Sequence, residues 1–193
     1  MDDHRSRTDR NLLGIYLNDH LAGSTLGVDR ARMLADAESE RDPELADTVR
    51  PIAEEIAEDR ASLLQIMRSV DVPVRRYKIV AGRLAERAGR LKANGRLVRR
   101  SPLTPMLELE LLRLGVEGKA AGWRTLRRLS DADPGLDPAH LDDLLERAHR
   151  QLDTLEQLRV RQIAETFRRT DDRTDDQADD RADDRTAPQE SRS

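Results

Sequence analysis

The sequence predicts an all-α protein in which four long helices enclose a single core. Apolar residues recur at helical spacing in four separate segments. Aromatic residues are scarce, with one Trp, two Tyr and one Phe, so Leu, Val, Ile and Ala must build the core. Such a core suits helix packing better than a β-sandwich. The predicted helices cover about 11–37, 43–70, 104–129 and 138–167.

The composition divides the chain into one folded domain between two polar ends. The chain has 193 residues, the length of one ordinary domain. Residues 1–10 are polar and are predicted to be disordered. Residues 170–193 are a low-complexity, acidic, Asp-rich tail that cannot bury enough surface to fold, and we expect this tail to be disordered. The helical bundle is therefore predicted to span residues 11–169.

The first predicted helix combines an apolar face with a cluster of small residues, Ala22, Gly23, Ser24 and Gly27. Small side chains allow another helix backbone to approach closely. The apolar face is formed by Leu13, Leu17, Leu21, Val28, Ala31 and Leu34.

The second predicted helix begins at Pro43 behind Asp42, a favourable N-cap. Its apolar positions alternate in steps of four and three, which is the heptad pattern of a helix buried against partner helices. Asp59 is the single polar member of this seam. Pro51 lies inside the run, so we expect a bend there or a later start of the regular helix. The seam consists of Leu45, Val49, Ile52, Ile56, Asp59, Leu63, Ile66 and Val70.

A long connection follows between residues 74 and 103. Its apolar residues predict one extra amphipathic helix, and Asn94-Gly95 would end it. Between Arg75 and Arg100 the chain has ten basic residues and a single acidic residue, Glu86. This is the one strongly basic part of the chain. The apolar face of the extra helix would contain Tyr77, Val80, Leu84, Ala88 and Leu91.

The third and fourth predicted helices carry similar start signals. Thr104 is the expected cap of the third helix, ahead of Pro105, and Asp137 precedes Pro138 at the fourth. The third helix has its own small-residue patch at Gly115, Gly118, Ala120, Ala121 and Gly122. The apolar stripe of the fourth helix is Leu141, Leu145, Ala148, Leu152 and Leu155.

The order of the links predicts how the helices connect. Helices one and two are joined by a short link, as are helices three and four, while a long link joins the two pairs. From about Leu12 to Phe167 the chain resembles an uncharacterised bacterial branch of the ferritin-like superfamily. The stretches that carry the resemblance are "LGIYLNDHLAG", "EEIAEDRASLL", "GRLVRRSPL" and "LRLGVEGKAAGW". The resemblance implies a ferritin-like four-helix bundle with a long crossover that carries the extra helix.

The resemblance also implies a di-metal site as an alternative function. Metal-binding members of the superfamily take a Glu from each of two helices and a Glu-x-x-His pair from each of the other two. Only one such pair is present here, in the fourth helix, where two are expected. With a rise of about 1.5 Å per residue, histidine and acidic side chains of the four helices fall near one layer. The candidate ligands of Fe or Mn are His20, Asp59, Glu117, Glu146 and His149.

Asp59 has three interpretations: a hydrogen-bonded or Arg-paired structural carboxylate, a metal ligand, or a sign that the seam is out of phase. The first is favoured, because a buried carboxylate needs a partner. For the other candidates, ordinary surface pairing is favoured over metal binding. The expected partners of Asp59 are His20, Arg113, Arg124, His149 and Arg159.

The basic connection gives a second alternative function, polyanion or DNA binding by counterion release. The sequence favours a different interpretation, in which the arginines solvate a surface helix or attract the acidic tail. Tyr77 alone offers little base stacking, and no recognition-helix motif is present, so we expect no nucleic-acid partner. The candidate residues for polyanion binding are Arg75, Arg76, Arg96, Arg99 and Arg100.

The leading hypothesis is a non-catalytic helical bundle that acts through protein partners or self-association. The chain has no cysteine, which excludes disulfides, thiolate metal sites and cysteine nucleophiles. It has no phosphate-binding loop or nucleophile elbow, so we expect neither catalytic residues nor a cofactor. No run of residues is apolar enough for a membrane span or a signal peptide, which predicts a cytoplasmic protein.

Overall fold

The computed structural model describes residues 3–75 and 101–183, with side chains described for 10–75 and 101–167. Within these residues the chain forms four helices and no strand, which confirms the all-α prediction. We name the helices in chain order α1 (Asp3–Glu38), α2 (Pro43–Ser69), α3 (Thr104–Leu129) and α4 (Pro138–Asp183). None of these described helices is both long and apolar enough to cross a membrane.

Helices α1 and α2 form one closely packed antiparallel pair. Near the start of α1, Gly14 faces Val72, which lies just past the end of α2. Further along α1, the Arg60 Nε donates a hydrogen bond of 2.9 Å to the Thr25 Oγ1. Later residues of α1 therefore meet earlier residues of α2. The short link of residues 39–42 requires this direction.

Helices α1 and α3 are also antiparallel neighbours, although they pack less extensively than the two sequential pairs. The Tyr16 hydroxyl donates to the Thr125 Oγ1 at 3.2 Å, and Arg30 pairs with Glu108 at 2.6 Å. The same reversed order joins α3 to α4 and α2 to α4, as shown by the pairs Arg127–Asp142, Arg113–Glu156, Arg147–Glu58 and Arg161–Asp42.

Because every neighbouring pair is antiparallel, α2 and α3 run in the same direction. The residues at the two ends of the connection between them lie at opposite ends of the helices. Pro73 accepts a hydrogen bond from Asn18, near the start of α1, while Pro102 accepts one from Thr166, far along α4. A helix of 27 residues is about 40 Å long. The two ends of the connection are thus separated by most of a helix length, and the extra helix predicted within the connection lies outside the described residues.

Capping residues fix where the helices begin and end. The Asp42 carboxylate accepts a hydrogen bond from the Leu45 amide, and Asp137 does the same for the Ala139 amide, which confirms both predicted caps. The cap expected at Thr104 is wrong. Helix α3 begins at that residue itself, because the preceding turn from Ser101 already satisfies its amide.

At the end of α2, the chain turns through a left-handed residue, Asp71, with φ 56°. The Val72 amide donates to the Met67 carbonyl and the Asp71 amide to the Arg68 carbonyl, which is the Schellman pattern. This turn directs the chain toward α1, where the Arg75 amide reaches the Asn18 side chain.

The outer ends of α1 and α4 differ from the predicted bounds. Helix α1 begins at Asp3 rather than near residue 11, and α4 continues to Asp183 rather than ending near residue 167. The disorder expected for 1–10 and 170–193 is not tested by these bounds and stays a prediction.

The core contains the whole predicted seam of α2. All eight seam residues are buried, so the heptad phase is right and the third interpretation of Asp59, a seam out of phase, is wrong. Pro51 is exposed within α2, which runs through it from a start at Pro43. Other helices contribute apolar side chains at similar spacing, among them Leu17, Leu21, Leu34, Leu109, Val116, Trp123, Leu126, Leu141, Leu144, Ala148 and Leu155.

Candidate functional site

Asp59 is the centre of a buried polar network that connects three helices. Its position in the seam of α2 directs the carboxylate toward α3 and α4, and the residue is only 1% exposed. Lys119 of α3 pairs with one carboxylate oxygen. The Arg147 Nη1 of α4 lies 3.2 Å from the other oxygen. Both oxygens of the buried carboxylate thus have a cationic donor, which offsets the cost of burying the charge.

The network continues through Gln151, which is 2% exposed. The Gln151 Oε1 accepts a hydrogen bond from Lys119, and its Nε2 donates to the Glu55 Oε2 at 2.7 Å. Arg147 also donates to the Glu58 Oε2 at 3.0 Å, at the surface. We call this set the Asp59 network; it consists of Glu55, Glu58, Asp59, Lys119, Arg147 and Gln151.

The electrostatics of Lys119 are set mainly by burial. Burial lowers the pKa of the Lys119 ammonium from its ordinary value of 10.5, and the charge of Asp59 opposes this change. The side chain is 12% exposed, so water solvates little of the ammonium. Lys119 therefore depends on Asp59 and Gln151 to remain charged.

None of the partners expected for Asp59 contacts it among the described residues. The sequence nevertheless contained a signal for Lys119. The buried residues Val116 and Trp123 lie three positions before it and four after it, so Lys119 occupies a seam position of α3. A lysine in the seam of one helix and a carboxylate in the seam of another are a natural pair, because neither charge can be buried alone.

The structure does not bring the five metal candidates together. The Glu117 and Glu146 carboxylates are mostly exposed and pair with arginines of their own helices, at 2.8 Å and 2.9 Å. His149 is exposed. Each residue turns a helix by about 100°, so side chains next to seam positions, such as Glu117 after Val116 and His149 after Ala148, are turned away from the core.

His20 lies between α1 and α3, with its ring 4.5 Å from the ring of Tyr16. A Cβ placed on Gly122 would lie 3.1 Å from the imidazole, so His20 is packed against the bare backbone of α3. Within the described part of the chain, no group of three or more His, Asp or Glu residues is arranged to hold a metal ion. The Fe or Mn alternative stays a prediction.

Of the polyanion candidates, only Arg75 belongs to the described residues. Its amide donates to the Asn18 Oδ1 at 2.6 Å, and its Nη2 reaches the Asn11 Oδ1 at 3.4 Å. The other four, Arg76, Arg96, Arg99 and Arg100, lie outside the described residues.

A cavity of about 470 Å³ lies between α1 and α3, with α2 contributing to its lining. Part of each small-residue patch of the sequence lines this space, namely Gly23, Ser24, Gly27, Gly115, Gly118 and Gly122. A Cβ added to Gly23, Gly115 or Gly118 would meet no atom within 4 Å, so these glycines leave open space instead of close helix contact. The expectation that the patches allow close backbone approach is met at Gly122, but not at these three positions.

The cavity has apolar walls and a few charged residues. The apolar residues include Leu17, Leu26, Ile56, Leu63, Leu111, Leu112, Val116, Trp123 and Leu126. The charged residues are Asp19, Arg30, Asp59, Arg60 and Lys119. A concave apolar space of this volume with few polar groups is typical of small-molecule sites.

An exposed row of leucines begins at the residue before α3 and continues along α3 to the cavity. Leu103, Leu107, Leu111 and Leu114 follow at steps of four, four and three, and Leu114 is 65% exposed. Leu111 also lines the cavity. We call these four residues the leucine row.

Comparison of the chain with protein-family models, curated proteins and solved structures found no match. The site is thus interpreted through its own geometry. Apolar walls and a cation of α2, Arg60, surround the space, while the buried carboxylate of Asp59 in the lining is already paired.

Proposed function

We propose that the protein is a non-catalytic, ferritin-like helical bundle that binds an apolar ligand between α1 and α3. The observation that carries this proposal is the cavity of about 470 Å³, whose walls are largely apolar. Leucine side chains and bare glycine backbone would gain about 25 cal/mol for each Å² of apolar area that a ligand covers. Binding would thus remove apolar surface from water without any chemical step.

The ferritin-like part of the proposal is supported by the helix directions. Helices α1 and α2, and α3 and α4, are sequential antiparallel pairs, and the two ends of the long connection between the pairs lie at opposite ends of the helices. This order agrees with bundles that have one long crossover connection.

The apolar ligand is tested with Nile red, an uncharged dye that fluoresces in apolar surroundings. Gly118→Leu together with Gly115→Leu should fill the cavity, because neither new side chain meets an atom at its Cβ. We expect saturable dye binding by the wild type and at least about tenfold weaker binding by the leucine variant, a loss of about 1.4 kcal/mol.

The matched control is Gly115→Ala with Gly118→Ala, which raises helix propensity like the leucines but fills little space. Alanine and leucine variants should both keep the wild-type helicity and melt no earlier than the wild type. Dye binding that is absent from the wild type, or equal in the leucine variant, would contradict the proposal.

Self-association is the second candidate function, and the leucine row favours it. Four leucines at helical steps form a stripe through which α3 of a second copy of the chain would pack. Light scattering should then give a mass that rises with protein concentration, and Leu107→Glu should abolish the rise. A constant monomer mass would exclude this candidate and leave ligand binding in place.

A further inference from the structure

Arg60 is a part-buried cation that lines the cavity without an anionic partner. Its Nε donates to the Thr25 Oγ1 at 2.9 Å. The threonine is itself buried, and its hydroxyl also donates to the Leu21 carbonyl at 3.0 Å, so the guanidinium is held at a fixed point. Among the described residues, no carboxylate forms an ion pair with Arg60. The terminal N–H groups of its guanidinium fork thus remain available.

The neighbouring charges of the cavity are already neutralised. Asp59 is taken by Lys119 and Arg147, as the short contacts of the Asp59 network show. Arg30 is taken by Glu108 at 2.6 Å. Asp19 is exposed, and its charge acts on the neighbouring His20. A part-buried cation in mostly apolar surroundings favours an anion as its partner.

We propose that the ligand of the cavity is a long-chain carboxylate whose head group binds Arg60 and whose hydrocarbon chain lies along the apolar walls. This inference rests on the proposed function, since it names the ligand of the same cavity. The planar guanidinium fork matches a carboxylate in two parallel hydrogen bonds. Leu111, Val116 and Trp123 are among the residues that would contact the chain.

The volume agrees with such a ligand. The cavity of about 470 Å³ falls within the range of about 300–1,000 Å³ common for small-molecule sites. A head group alone would leave the apolar walls in water, and a hydrocarbon without a charge would leave Arg60 unpaired. An amphipathic anion would cover the apolar walls with its hydrocarbon chain and pair with Arg60 through its head group.

The test compares palmitate with hexadecanol, which has the same chain length but an uncharged head. Each lipid is added to full-length protein with bound Nile red, and the displacement of the dye is measured. The lipid concentrations are kept below those at which the lipids aggregate. We expect the wild type to bind palmitate more tightly than hexadecanol. Arg60→Gln should weaken palmitate by about tenfold or more, because hydrogen bonds to charged groups contribute about 1.5–3 kcal/mol. Hexadecanol binding should change less than about twofold.

Two further variants make the result specific to this guanidinium. Arg50→Gln changes an exposed arginine of the same helix, whose nearest carboxylate lies 3.9 Å away, and should leave both affinities unchanged. Arg60→Lys keeps the charge without the fork, so it should retain part of the preference for palmitate. Helicity of each variant is measured by circular dichroism.

The outcomes separate the inference from the function on which it rests. If Nile red binds as expected but palmitate and hexadecanol compete equally, or Arg60→Gln weakens neither, the carboxylate inference is overturned and apolar binding stands. If Nile red does not bind the wild type, the carboxylate inference and the proposed function both fail.

Discussion

Replacing Asp59 by leucine should destabilise the protein, because the change abandons Lys119 in the core. A buried ion pair replaced as a whole is often neutral or stabilising, but removing one partner leaves an uncompensated charge. The structure shows two cations on this carboxylate. Arg147 is 29% exposed and also pairs with Glu58, so it retains a partner. Lys119, at 12% exposure, retains the neutral Gln151 as its hydrogen-bond partner among the described residues, with a further coulombic effect of Glu55.

The size of the stability loss depends on whether Lys119 remains charged or loses its proton. Breaking a buried pair costs about 3–5 kcal/mol. Deprotonation of the ammonium would lower this cost. At pH 7, deprotonating a lysine with the ordinary pKa of 10.5 costs about 4.8 kcal/mol, at 1.36 kcal/mol per pH unit. This value is an upper limit on the charge penalty. We therefore expect a free energy of unfolding about 3–5 kcal/mol lower than that of the wild type.

The penalty in Asp59→Leu should also depend on pH in a defined direction. The folded pKa of Lys119 then lies below the value of the unfolded chain, so the unfolded state binds more protons between the two values. Stability lost at neutral pH is regained as the pH rises toward 10.5, by at most about 2.7 kcal/mol between pH 7 and pH 9.

Urea denaturation followed by circular dichroism measures these changes. The control is the double variant Asp59→Leu with Lys119→Met, in which both charges are removed together. It should recover most of the wild-type stability, so that the coupling energy between the two sites is several kcal/mol. A single Asp59→Leu variant as stable as the wild type would show that Lys119 reaches solvent or another anion, and the reasoning would be wrong.

Two other predictions concern the contact between α1 and α3. Gly122→Leu should cost about 1–3 kcal/mol of stability, because its Cβ would lie 3.1 Å from His20, whereas Gly118→Leu meets no atom and should not destabilise; urea midpoints of the two variants decide this. Burial lowers the pKa of His20 from 6.5, against a smaller opposing effect of Asp19. The unfolded chain then binds more protons, so stability is fully present above pH 6.5 and is lost as the pH falls through the lowered pKa. The fall in melting temperature between about pH 7.5 and pH 5 should be smaller in His20→Gln, and equal falls would contradict the assignment.

Much of the fold was predictable because its signals are local or periodic. Asp42 and Asp137 cap the two helices that follow them, as expected for an acidic side chain ahead of a proline. The seam of α2 is buried at all eight positions, since a heptad pattern directly encodes which face turns inward. The prediction of a cap at Thr104 was wrong because its signal is not periodic. The turn before it depends on the conformation of Ser101–Thr104, which composition alone does not determine.

The site was only partly predictable, because it depends on which helices are neighbours. The sequence identified Asp59 as a buried carboxylate that needs a partner, but its partners required the register between α2, α3 and α4. Lys119 was missed although it lies in phase with Val116 and Trp123. The glycine patches were recognised, yet whether glycines permit contact or leave space depends on the distance between two helix axes. That distance is set by tertiary packing. The sequence pattern therefore could not predict the cavity.

The adjacency of Asp59 and Arg60 explains how one bundle contains both a closed network and an open site. Successive residues of a helix point about 100° apart, so neighbours in sequence serve different interfaces. Asp59 turns toward α3 and α4 and is paired there, while Arg60 turns toward α1 and bonds to Thr25. The described members of the Asp59 network come from α2, α3 and α4, with none from α1. Helices α2, α3 and α4 are thus joined around the paired carboxylate of Asp59. The neighbouring cation, Arg60, faces the cavity beside the fourth helix, α1.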